Sequence, residues 1–196
     1  MTEAATALLV VDVQLDFCEG GSMGVDGGAA TAAAISRHLG AAHGRYAHVV
    51  ASRDYHQDPG EHFSENPDFT NSWPPHCLVG QAGAAFHPEL DVDGIEAVFS
   101  KGQYEAAYSA FEATGPGIAS AERPLAEWLR ARGVEAVEIV GLATDYCVRA
   151  TALDAVREGF TTAVRLDLTA GVAPRTTAAA VQRMRDAGVT LTGSPA

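Results

Sequence analysis

Basic residues are scarce in this 196-residue chain: 13 lysines and arginines stand against 25 aspartates and glutamates, a formal net charge of −12. That balance argues against a nucleic-acid surface and against binding to an anionic membrane. Long apolar runs are missing too. The strongest one near the N-terminus, Ala7 to Val13, is short, contains Asp12 and follows no basic stretch, so neither a signal peptide nor a membrane span is expected. Cysteines number only three, Cys18, Cys77 and Cys147. They are odd in number and widely spaced, which speaks for a reducing, cytoplasmic setting rather than a disulfide framework. No repeat, biased tract or interdomain linker breaks the sequence. A chain of this length suits one domain with a sizeable core, here residues 1–196.

What is present is an alternation of strand-like and helix-like runs. It predicts an α/β fold, doubly wound, with a mainly parallel sheet flanked by helices. Strands are expected at Ala7–Val13, His48–Asp54, Ala97–Lys101, Ala136–Val140, Thr161–Leu166 and Val189–Leu191. Helices are expected around Ile35, Leu39 and Ala42, after Pro124, after Cys147, and around Val181, Met184 and Ala187. From Tyr55 to Pro88 neither pattern is convincing, and a loop that long inside a compact domain is usually functional. It holds His56, His62, His76 and His87.

Open parallel sheets bind ligands beyond the C-terminal ends of their strands. Asp12, Asp54, Lys101 and Cys147 each stand at or just past such an end. Cys147 falls where a strand hands over to a helix, and unpaired N–H groups there favour a thiolate and can hold an oxyanion. It reads as a nucleophile or as a small core thiol. Asp12, closing an apolar run, is the leading candidate for its base. The alternative is a pairing role within the sheet. Lys101 reads as a fixed cation beside them or as a surface lysine. Asp54, His56, His62 and His76 could form a one-carboxylate, three-imidazole set suited to Fe(II), Mn(II) or Zn(II), or could be a strand-end cap and loop histidines. His38, His43, His48 and His87 have no comparable partners and read as surface or structural residues.

Five segments stand out in order along the chain: Val10-Val-Asp-Val-Gln-Leu-Asp-Phe-Cys-Glu-Gly-Gly21, Asp54-Tyr-His56 with His62, Ser72-Trp-Pro-Pro-His76, Phe99-Ser-Lys-Gly102 and Gly141-Leu-Ala-Thr-Asp-Tyr-Cys147. Together they resemble the nicotinamidase/pyrazinamidase branch of the isochorismatase-like cysteine hydrolases. The Asp, Lys and Cys indicate the superfamily; the Asp-x-His set with Trp-Pro-Pro-His is the part specific to nicotinamidases. The resemblance implies a triad of Asp12, Lys101 and Cys147, and one divalent metal ion held by Asp54, His56, His62 and His76. It implies a cis peptide between Leu142 and Ala143 that turns the N–H groups of Ala143 and Cys147 toward an oxyanion. Phe17, Trp73, Tyr108 and Leu142 would wall the substrate. The implied activity is hydrolysis of nicotinamide to nicotinate and ammonia, and of pyrazinamide likewise, feeding NAD salvage. The expected partner is that small molecule alone, with no nucleic acid or membrane, in a monomer or small homo-oligomer. An isochorismatase proper would be expected to lack the cysteine, and an N-carbamoyl amidase would not need the metal quartet. A non-catalytic metal-binding scaffold is opposed by the intact Asp12, Lys101 and Cys147.

Overall fold

The computed structural model describes residues 5–42, 44–116 and 122–195. Its strands are β1 (Ala5–Val11), β2 (His48–Asp54), β3 (Ala97–Lys101), β4 (Thr114–Pro116), β5 (Glu122–Pro124), β6 (Val134–Leu142), β7 (Thr161–Ala170) and β8 (Thr190–Thr192). The α-helices are α1 (Gly28–Ala41), α2 (Leu125–Arg130), α3 (Arg149–Arg157) and α4 (Pro174–Asp186). One sheet takes the order β5-β4-β3-β2-β1-β6-β7-β8. All pairings are parallel except β3–β4 and β4–β5.

The chain winds outward from β1 through β2 to β3, then returns to the other side of β1 with β6. Strand order reverses at β1, so a crevice opens beyond the ends of β1 and β6. Alternation along β1 divides its side chains between two cores. Ala7, Leu9 and Val11 join Trp128, Leu129, Ala152 and Met184 from α2, α3 and α4, while Leu8 and Val10 join Ala32 and Ile35 of α1. Leu8, Leu9, Ile35, Phe99, Leu129 and Ile139 are fully buried. Each contributes about 1.5–3 kcal/mol in apolar transfer, which anchors the strands that carry the crevice. Where β6 passes β1, a Cβ on Gly141 would stand 2.1 Å from the Val11 carbonyl oxygen, and its φ of 118° favours glycine.

Several expectations are adjusted. β1 ends at Val11, leaving Asp12 outside the ladder with φ 50°. β7 runs on to Ala170 because a register irregularity between Ile139 and Gly141 lets Thr169 and Ala170 pair with Gly141 and Leu142. Ala42 lies just past the end of α1. His38 is not isolated, since its Nε2 is 2.6 Å from the Tyr46 hydroxyl, which itself donates to the buried Glu138 at 2.5 Å. His48 pairs with Glu96 at 2.9 Å. The long segment after β2 has only short 3-10 turns and isolated bridges, as its lack of pattern implies. His43 lies outside the described residues. Among the described residues no helix is long and apolar enough to cross a membrane.

Candidate active site

The crevice brings Asp12, Lys101 and Cys147 together. Asp12 is held by a hydrogen bond from its N–H to the Ser52 carbonyl (3.2 Å) and by the Ser52 hydroxyl, which donates to Oδ1 (2.7 Å). Its Oδ2 lies 2.8 Å from Lys101 Nζ. Lys101 pairs in register with Asp54 across β2 and β3, and its ammonium also donates to Asp54 Oδ1 and reaches Cys147 Sγ at 3.7 Å. Lys101 is no surface residue, being 2% exposed. It is also the only lysine in the chain, a signal that sequence reading alone could have used.

Cys147 sits in a π-helical turn, Thr144–Val148, rather than at the first residue of a regular helix. The turn is pinned on two sides. The Thr144 hydroxyl donates to Thr169 Oγ1 (2.9 Å), and buried Asp145 accepts the Val172 N–H (2.9 Å), the Ala173 N–H (3.3 Å) and the Thr176 hydroxyl at the start of α4. The peptide between Leu142 and Ala143 is cis.

The electrostatics differ from the local expectation of a ready thiolate. Burial pushes the Cys147 thiol well up, with Lys101 opposing and the two carboxylates reinforcing. Burial likewise raises Asp12 against the pull of Lys101. Asp54 goes the other way. Burial would raise it, but Lys101 and the neighbouring His56 hold its carboxyl below the usual range. Lys101 itself stays charged, because Asp12 and Asp54 outweigh its desolvation.

Asp54 joins this group to the histidines. Its Oδ2 is 3.6 Å from His56 Nε2 and 3.8 Å from His76 Nε2, and nitrogens of His56, His62 and His76 lie within 4.8 Å of one another. The His56 Nδ1–H donates to the Gly102 carbonyl (2.5 Å) and that of His76 to the Pro74 carbonyl (2.8 Å), which fixes both rings with Nε2 on the side of Asp54. Among the described residues, His56 Nε2 and His62 Nδ1 are buried with no partner. Buried polar atoms are normally satisfied. Burial lowers His76 and, with the neighbouring His56 and His76, holds His62 down to about 4, so both are neutral near pH 7. Three imidazoles converging beside an ionised carboxylate fit a divalent cation.

Over both groups lies a pocket of about 480 Å³, counting its open mouth. Phe17, Trp73, Tyr108, Leu142 and Ala143 line it, as do Asp54, His62, His76 and Cys147. The Trp73 indole N–H donates to the Tyr108 hydroxyl at 3.0 Å, joining two loops. Sequence reasoning missed Tyr146, whose ring packs edge-on to Trp73 at 5.2 Å and stacks on Tyr108 at 6.4 Å. It also missed Met23, Val25 and Val172 in the lining, and the hold of Gln14 on the Asp54 backbone. The fully buried Gln14 carboxamide donates to the carbonyls of Asp54 (2.8 Å) and Ala84 (3.0 Å) and accepts the Asp54 N–H (2.8 Å).

A family profile described as an isochorismatase domain matches residues 6–196. The chain belongs to the isochorismatase family. It is 58% identical over 185 residues to the nicotinamidase/pyrazinamidase of Mycobacterium tuberculosis, covering 94% of this chain and 97% of that protein. Among solved structures it resembles the pyrazinamidase of Pyrococcus horikoshii in complex with zinc (34% identity, TM-score 0.80, 95% of this chain and 98% of that one). It also resembles PnC1 from L. infantum in complex with nicotinate (34% identity, TM-score 0.82, 96% and 92%). The family's fold thus agrees with the architecture described above.

Proposed function

We propose that the chain is a metal-dependent cysteine amidohydrolase that converts nicotinamide to nicotinate and ammonia, and pyrazinamide to pyrazinoate. The observation that carries this reading is the shared crevice. A buried Asp12–Lys101–Cys147 group and a three-histidine, one-aspartate set meet under one aromatic pocket, with Asp54 touching both. Asp12 takes the proton of Cys147, and burial, which raises its affinity for protons, suits a carboxylate that must accept and return one. The sulfur attacks the carboxamide carbon, and the N–H groups of Ala143 and Cys147 hold the oxyanion. Asp12 returns the proton to the departing ammonia as the C–N bond breaks, leaving a thioester. It then deprotonates the water that releases nicotinate and restores the thiol. Lys101 remains a cation throughout and balances the negative charge moving between Asp12 and Sγ.

Asp54, His56, His62 and His76 would hold Fe(II), Zn(II) or Mn(II), and such a cation supplies a Lewis-acid contact that orients the ring through its nitrogen. Phe17 and Trp73 supply the flat surfaces between which the ring stacks. The product would feed NAD salvage, and a reducing cytoplasm suits a chain whose three cysteines are all unpaired. The test is ammonia release from nicotinamide by metal-loaded protein, with and without chelator, alongside benzamide. Benzamide keeps the ring and scissile group but lacks the nitrogen, so its kcat/KM should be lower by on the order of 10- to 1000-fold. No ammonia from nicotinamide would refute the activity. Equal kcat/KM for the two amides would refute the orienting role.

A further inference from the structure

The three histidines are not equivalent. A metal-binding imidazole normally donates its other N–H to a fixed acceptor, which locks the ring in place. His56 and His76 have such acceptors in the carbonyls of Gly102 and Pro74. A Cβ at Gly102 would stand 2.5 Å from His56 Cε1, so the backbone closes tightly on that ring. His62 has no hydrogen bond to its ring among the described residues, and its contacts there are packing against His56, His76, Phe63 and Tyr108. It sits at the end of a three-residue 3-10 turn, Gly60–His62.

His62 also lines two cavities, the substrate pocket and an outer cleft whose lining includes Glu61, Asn71, Ser72, Tyr104 and Glu105. The two spaces differ in chemistry. Phe17, Met23, Val25, Trp73 and Val172 make the substrate pocket a poor path for a hydrated dication, which would shed water among apolar groups. The outer cleft offers two carboxylates, an amide and hydroxyls to a cation that is still partly hydrated.

We propose that His62 is the exchange ligand, and that the metal ion loads and leaves through the outer cleft rather than through the substrate pocket. This rests on the reading of the histidine set as a metal site. The unanchored ring turns toward the cleft, meets the cation gathered by Glu61 and Glu105, and returns it to the two fixed nitrogens and Asp54. Substrate binding and metal exchange would then use separate doors.

Uptake of Co(II) by chelator-stripped protein, followed by its visible absorption, tests this without reference to turnover. One arm uses protein whose Cys147 carries a bulky aromatic adduct that plugs the substrate pocket; uptake should stay within about twofold of the unplugged rate. The other arm is the Glu61→Gln/Glu105→Gln variant. At low ionic strength its uptake should slow by about 3- to 10-fold, a difference that added salt removes, with little change in equilibrium affinity. Uptake stopped by the adduct, or unchanged in the double variant, would overturn the proposed route alone. Failure of the unmodified protein to bind Co(II) at the histidines would instead remove the metal reading, and the route with it.

Discussion

Gln14 offers the sharpest quantitative test of how the site is built. Its carboxamide grips the backbone of Asp54 at both N–H and C=O and holds Ala84 as well, with no exposure to solvent. In Gln14→Leu the volume is nearly kept, but one N–H and two carbonyls lose their partners inside a dry core. Each unsatisfied group costs about 1–3 kcal/mol, and with partial relief from the added apolar surface the total should be about 3–6 kcal/mol. For a chain of this size that lowers Tm by on the order of 6–24 °C. The site should suffer separately. Asp54 faces Lys101 with one oxygen and the histidines with the other, so loosening its backbone should weaken metal binding by about 10- to 100-fold, as loss of a supporting hydrogen bond to a ligand commonly does. Thermal melts of metal-free protein give the first quantity and competition against a calibrated chelator the second. Gln14→Glu is the companion variant: it can still accept the Asp54 N–H but loses both donations and places a charge near a carboxylate. A Tm within about 2 °C of the parent with unchanged metal affinity would refute the account.

Cys147→Ala should abolish turnover while leaving fold and metal content intact. An electrophile shaped like nicotinamide should label Cys147 alone, because Cys147 lines the pocket beside Lys101 whereas Cys18 and Cys77 are fully buried and absent from its lining. Peptide mapping by mass spectrometry reads the result, and near-normal activity in Cys147→Ala would end the thioester mechanism. The stability of metal-free protein should fall as pH drops from about 6.5 toward 4. His62 binds its proton less tightly folded than unfolded, and His76 shifts the same way, so the unfolded chain takes up more protons in that window. Asp54 is held low and loses its contribution only further down, as pH falls below the ordinary carboxylate range. Urea midpoints across this range should slope less steeply in His62→Gln; an unchanged slope would contradict the burial argument.

Patterning determined much of this molecule by itself. β2 and β3 were legible to the residue, because apolar strand runs end at polar residues facing the crevice. Asp12, Asp54, Lys101 and Cys147 were legible as residue types at strand ends, since a parallel sheet places such ends together whatever the helices do. Other features depend on distant parts of the chain. Three-residue β4 and β5 are too short to carry a period, and the bulge that extends β7 belongs to its partner strand. A π turn has the same apolar pattern as an α turn, so the setting of Cys147 could not be read locally. Nor could its protonation. A helix start favours a thiolate, whereas burial by residues far apart in sequence pushes the Cys147 thiol up, with Lys101 opposing. The division of labour at Asp54 and the unanchored ring of His62 also exist only once the chain is folded. Sequence selects which chemical groups reach the crevice; charge, solvation and hydrogen-bond partners depend on what surrounds them in space, and that only the tertiary structure decides.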